Sequence, residues 1–99
     1  MGKEPLLNEE ELAEGLGRLP GWSIEEGKLT KKYLFPAFTD AVAFVNRVAA
    51  VAERMNHHPF ISLDYRRVTL KLTTWHSGGI TRLDLESARA YDGGESASE

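Results

Sequence analysis

Cysteine is absent from this 99-residue chain, which removes disulfides, thiolate nucleophiles and cysteine-ligated zinc together. No apolar run approaches the roughly 18 residues that a membrane-spanning helix needs. The opening Met1-Gly2-Lys3-Glu4-Pro5 has no apolar region after its charge, so it does not read as a secretory signal. A cytoplasmic protein is the expectation. A basic excess is missing too: the formal net charge is −3, and phosphate contacts need a basic surface, so nucleic acid is not the expected partner. The pairs Lys31-Lys32 and Arg66-Arg67 sit among acidic neighbours and read as solvated surface. There is no nucleophile-elbow pattern for serine catalysis.

What is present suits one small globular domain. The apolar fraction is 41%, close to the globular average, and a chain of this length can bury a modest core. After residues 1–7, which read as a flexible start, Asn8 and Glu11 form a capping-box pattern ahead of Leu12, Leu16 and Leu19. That predicts a short helix over about 8–18, closed by Pro20-Gly21. Trp22 to Glu25 alternates apolar and polar, as does the stretch from Leu29 to Phe35, with Glu26-Gly27 between them. Two strands of a hairpin follow from this.

Ala41, Phe44, Val45, Val48, Ala52 and Met55 recur at spacings of three and four. They predict the main helix over about 39–56, capped by Thr39 or Asp40 and stopped before Pro59. A second hairpin, turning near Arg66, is read from Ile61, Leu63, Tyr65 and then Val68, Leu70, Leu72. Thr81 with Asp84 makes another capping box, opening a last helix to about Tyr91. The expected fold is α+β: a four-stranded antiparallel sheet from two hairpins with three helices on one face, in the order α-β-β-α-β-β-α. The domain is expected over 8–91, followed by a flexible tail over 92–99.

Chemistry concentrates where the main helix meets the third strand. His57 and His58 are adjacent there, and imidazole titrates near pH 6.5, so one ring can be protonated while the other is neutral. That suits a reaction needing an acid for a leaving group and a base for a departing proton. Glu53 stands four residues before His57; if the helix runs that far, its carboxylate faces the ring and fixes it. Asn56 adds an amide. The plain alternative is that these residues only cap a helix C-terminus, where histidine is favoured. Asp84 has the same two readings, a carboxylate near the cleft or a structural cap. Adjacent histidines rarely ligate one ion and only His76 remains besides, so no metal is expected.

The segment Glu53-Arg54-Met55-Asn56-His57-His58-Pro59 resembles the signature of the pterin-4a-carbinolamine dehydratases. The likeness continues through Tyr65–Leu72 into Thr73-Thr74-Trp75, then Gly79-Ile80-Thr81 and Asp84, and covers about residues 7 to 91. The resemblance implies dehydration of 4a-hydroxytetrahydropterin to quinonoid dihydropterin, in recycling of a tetrahydrobiopterin-type cofactor. It implies a lyase that needs no metal or organic cofactor and assembles as a homodimer or homotetramer. Carried over residue by residue, it makes His57, His58, Glu53 and Asp84 catalytic. Asn56, His57, His58, Pro59, Thr73, Thr74, Trp75 and His76 would line the pterin.

One position departs from the family pattern. Many members have a third histidine seventeen residues after the second of the pair and nine before the aspartate. Both spacings land here on Trp75, while His76 falls one residue late and, in a continuing strand, on the other face. Trp75 is read as replacing that histidine and stacking on the flat pterin, at a cost of about 1–3 kcal/mol of barrier if the third histidine acts electrostatically. Two other readings stand beside an active enzyme. One is a catalytically inactive binding or assembly protein that kept the fold; the other is a protein that holds pterin without turning it over.

Overall fold

Alternating apolar residues on two hairpins set the centre of the molecule. The computed structural model describes residues 4–93. Its elements run α1 Glu9–Gly17, β1 Ser23–Glu25, β2 Lys28–Leu34, α2 Phe38–Met55, β3 Phe60–Asp64, β4 Arg67–Leu72, a single 3₁₀ turn Trp75–Ser77, and α3 Arg82–Tyr91. The four strands form one antiparallel sheet in the order β1-β2-β4-β3. This is the expected α-β-β-α-β-β-α order, with the 3₁₀ turn as an addition.

Register assigns the two faces. Leu29 pairs with Leu72, Lys31 with Leu70 and Tyr33 with Val68, so these residues share one face. Leu29, Val68, Leu70 and Leu72 are fully buried there, clustered with Ala41, Phe44, Val48 and Val51 of α2 and with Ala88 and Tyr91 of α3. At about 1.5–3 kcal/mol for each large aliphatic side chain taken from water, this stripe is the main stabilising term. The opposite face carries Lys28, Thr30 and Lys32 of β2, Phe60 and Ser62 of β3, and Thr69 and Lys71 of β4. Strand β3 forms one edge of the sheet, and all five of its residues are exposed.

Local signals account for most boundaries. Asn8 accepts from Glu11 N–H at 2.7 Å and Glu11 accepts from Asn8 N–H at 2.9 Å, closing the capping box of α1. Glu26 and Gly27 take φ of 53° and 79°, the left-handed pair that a two-residue hairpin requires. In the second hairpin it is Tyr65 that goes left-handed, with φ 55°. Helix α2 departs from expectation at its start: Ala37 is the N-cap and supplies no side-chain bond, while Asp40 lies inside the first turn. A carboxylate there still favours the helix by its charge against the N-terminal dipole.

Both ends expected to be loose carry contacts within the described residues. Leu7 N–H donates to Ile80 C=O at 3.0 Å, the Ser77 hydroxyl donates to Glu4 C=O, and Arg82 pairs with Glu4 at 3.0 Å, so Glu4 and Leu7 both meet the segment from Ser77 to Arg82. Asp92, assigned from sequence to the flexible tail, accepts three hydrogen bonds. They come from Trp22 Nε1–H at 2.7 Å, Lys31 Nζ at 3.2 Å and Tyr33 O–H at 2.5 Å. A polar composition hid this, because no local pattern announces a partner seventy residues away. The rest of the expected tail, 94–99, lies outside the described residues.

Two phenols report on the packing. Burial and then the bond to Asp92 push the Tyr33 phenol above the usual tyrosine range. Burial pushes that of Tyr91 up to about 12, with Asp84 adding to it and Ser87 working against it. Groups whose folded pKa is raised lend stability that is complete below the unfolded value near pH 10 and is lost as pH rises through the folded value. The urea midpoint is therefore expected to hold to about pH 10 and fall steadily above it. A midpoint flat to pH 12 would show that neither hydroxyl is held neutral by the fold.

Candidate active site

The end of α2 creates the site. Asn56 takes the left-handed conformation, φ 53° and ψ 41°, a conformation asparagine enters more easily than most residues. His57 N–H closes back to Ala52 C=O at 3.1 Å, and the chain then leaves the helix axis through Pro59 into β3. Because the helix stops at Met55, the expected pairing of Glu53 with His57 does not form. Glu53 Oε2 instead lies 2.7 Å from His58 Nε2, in an exposed pair. His57 turns inward, with its side chain 13% exposed, and its Nε2 lies 2.7 Å from Asp84 Oδ1.

Asp84 is a structural cap that also reaches a histidine. It is fully buried at the third position of α3, and its Oδ2 accepts the Thr81 N–H at 2.9 Å, completing the capping box. The same oxygen accepts the Thr74 hydroxyl at 2.8 Å. With that proton committed, Thr81 O–H donates to Thr74 Oγ1 at 2.8 Å, while Thr81 Oγ1 accepts the Leu83 N–H at 3.1 Å. Oδ1 is left to accept from His57 Nε2–H. A carboxylate with both oxygens engaged, at the positive end of a helix, is a fixed electrostatic post. It sets the tautomer: His57 offers Nδ1 to whatever lies outside. His58, held at Nε2 by Glu53, offers Nδ1 as well.

The remaining residues named from sequence divide into lining and support. Thr74 is buried and spends its hydroxyl on Asp84, so it acts through that carboxylate. Its backbone bridges Gly79, and the intervening Trp75–Ser77 forms the 3₁₀ turn. The strand has already ended at Leu72, so alternation does not decide between Trp75 and His76; both stand exposed on the turn. The Trp75 indole is 70% exposed and meets the Phe60 ring edge-on, with centroids 5.9 Å apart. Thr73 and Trp75, with Lys28 and Gly79, line a hollow of about 250 Å³. Asn56 is exposed at the helix end and Pro59 is half-buried beside the histidines.

Sequence reasoning missed Phe60, Thr81 as the partner of Thr74, and Lys28. Phe60 follows the His-His-Pro run directly, and that adjacency was the available signal. Among the described residues no group of three or more His, Cys, Asp or Glu side chains could hold a metal ion, and no helix is long and apolar enough to cross a membrane.

The α+β domain thus carries two adjacent imidazoles, each tied at Nε2 to a carboxylate. The chain belongs to the pterin 4 alpha carbinolamine dehydratase family, whose profile matches residues 5–93. It is 43% identical over 86 residues to a protein of Sulfurisphaera tokodaii named "Putative pterin-4-alpha-carbinolamine dehydratase", covering 87% of this chain and 92% of the relative. A protein of the same name from Thermomicrobium roseum is 46% identical over 83 residues, covering 84% and 89%. Among solved structures, the crystal structure of a transcriptional coactivator/pterin dehydratase from Brucella melitensis superimposes with a TM-score of 0.84 at 34% identity, covering 89% of this chain and 96% of that one.

Proposed function

We propose that the chain dehydrates 4a-hydroxytetrahydropterin to quinonoid dihydropterin, serving the recycling of a tetrahydrobiopterin-type cofactor. The observation that carries this reading is the pair of carboxylate-tethered imidazoles with free Nδ1 atoms. One ring, as imidazolium, gives its proton to the 4a-hydroxyl as the C4a–O bond breaks and water leaves. The other, neutral, accepts the proton lost from the pterin ring nitrogen. One proton is given and one taken, so the two rings exchange charge states and solvent resets them. General acid and base catalysis of this kind supplies about 10²- to 10⁴-fold.

Asn56, Pro59, Thr73, Trp75 and His76 complete the pterin surroundings in this reading, and the exposed indole of Trp75 offers a flat face for the ring. The route needs no cofactor. Assembly into a homodimer or homotetramer and a cytoplasmic location belong to the same proposal.

A second reading, a binding or assembly protein without turnover, draws on Trp75 standing where many members have a histidine and on the apolar side chains exposed along β3. The deciding measurement is the decay of 4a-hydroxytetrahydropterin, followed by absorbance at neutral pH with and without the protein. Strong acceleration supports the dehydratase; decay at the uncatalysed rate with folded protein present moves the assignment to binding or assembly.

A further inference from the structure

The sheet face opposite the helical core holds a groove of about 360 Å³ lined by Lys28, Phe60, Ile61, Ser62, Thr69 and Lys71. Two of these residues are lysines, both half-buried. Among the described residues neither forms an ion pair, although Glu25 stands opposite Lys28 in the β1–β2 register. The Lys28 ammonium hangs 5.7 Å above the Phe60 ring centroid, and Lys71 is the direct cross-strand partner of Phe60. Ser62 and Thr69 face each other across β3 and β4 on the same side. With their stems partly covered and no carboxylate on either head, the two lysines bring uncompensated positive charge to one groove, where an anion would meet both.

We propose that Lys28 and Lys71 form a subsite for an anionic group on the substrate's tail, so that the chain takes pterins whose side chain ends in a phosphate or a carboxylate. This rests on the pterin dehydratase reading and specifies its substrate class. Phe60 is the link: it lies two residues after His58, meets Trp75 edge-on, and lines the groove. Lys28 lines both this groove and the hollow beside Trp75, so a ring held near the histidines can direct its tail between them. Two ammonium groups and two hydroxyls in one groove match the oxygens of a small anion. A neutral hydroxyalkyl tail would leave both charges unanswered.

The test compares three 4a-hydroxytetrahydropterins, with a phosphate-ester tail, a carboxylate tail and an uncharged hydroxyalkyl tail, using the full chain. At low ionic strength kcat/KM is expected to favour one or both anionic tails by about tenfold or more, and the ratio should fall as salt screens the contact. The arm with the larger ratio identifies the anion. Lys28→Gln together with Lys71→Gln should bring the ratio to about one, whereas Lys32→Gln, on the same face and outside the groove, should preserve it. Equal rates for all three tails overturn the subsite, as does a preference that survives the double substitution or falls equally with Lys32→Gln.

If no carbinolamine is turned over, it is the dehydratase reading that fails, and the subsite is judged separately. Oxidised pterins with the same three tails are then titrated against Trp75 fluorescence, with Trp22→Phe removing the other indole. Tighter binding of an anionic tail that is lost with the lysines supports the subsite, and equal binding overturns it.

Discussion

Replacing His58 with alanine is expected to lower kcat/KM for 4a-hydroxytetrahydropterin by about 10²- to 10⁴-fold while leaving the melting temperature almost unchanged. The pair it forms with Glu53 is solvent-exposed, and exposed pairs contribute little to stability. His57→Ala should lose activity to a similar extent but should also lose stability. Its removal strips a donor from the fully buried Asp84 Oδ1, and a buried acceptor left alone costs about 1–3 kcal/mol. The two adjacent histidines therefore separate in a thermal melt even though they coincide in an activity assay. Added imidazole should restore part of the His58→Ala rate, because that position opens to solvent. If either single variant dehydrates as fast as the parent, that ring has no role in proton transfer.

The second large effect belongs to Asp84. Asp84→Ala removes half of a capping box, worth about 1 kcal/mol, and leaves the Thr74 hydroxyl and the His57 N–H without acceptors. A total near 3–4 kcal/mol is expected. In a domain of this size that corresponds to a fall in melting temperature of about 15–25 °C. Asp84→Asn tests the chemistry apart from the cap. The amide is nearly isosteric, but it turns an N–H₂ toward groups that all donate. Where it faces His57 it favours a bare Nε2 and moves the ring proton to Nδ1, so the atom offered to substrate changes from acceptor to donor.

The kcat of Asp84→Asn should fall by about 10²-fold or more, and its pH profile should change shape. Thr81→Ala, which loosens the same cap without touching the ring, should cost stability alone. Should Thr81→Ala and Asp84→Asn lower kcat equally, Asp84 serves as a cap and nothing further.

The contrast between the histidines also marks how far the sequence could be read. Residues whose partners lie within four positions declared themselves: Asn8 with Glu11, Thr81 with Asp84, Glu26-Gly27 in its hairpin, and the three-and-four stripe of α2. The His57-His58 pair and Asp84 were recognisable as candidates. Their connection was not, because it depends on the left-handed turn at Asn56, which sends His57 inward and hands Glu53 to His58. One dihedral pair thus moved Glu53 from His57 to His58 and gave His57 to Asp84. Trp75 was legible as a departure from the family pattern, but the alternation used to set aside His76 presumed a strand that ends at Leu72. Phe60, Lys28 and Lys71 meet only through sheet register, and Asp92 reaches Trp22, Lys31 and Tyr33 only through the full tertiary fold.

That last contact has a bearing on the order of assembly. The first hairpin can close as soon as it is made, since its strands are neighbours in the chain. Its side chains Trp22, Lys31 and Tyr33 nevertheless converge on a carboxylate at residue 92, beyond the final helix. During synthesis the hairpin must wait, with an indole and a phenol unpartnered, until Asp92 has emerged, and β2 must likewise wait for β4 to become its neighbour. The latch that fastens the early strands is delivered late, so a nascent chain stalled before residue 92 would present those aromatic side chains to the chaperones of the cell.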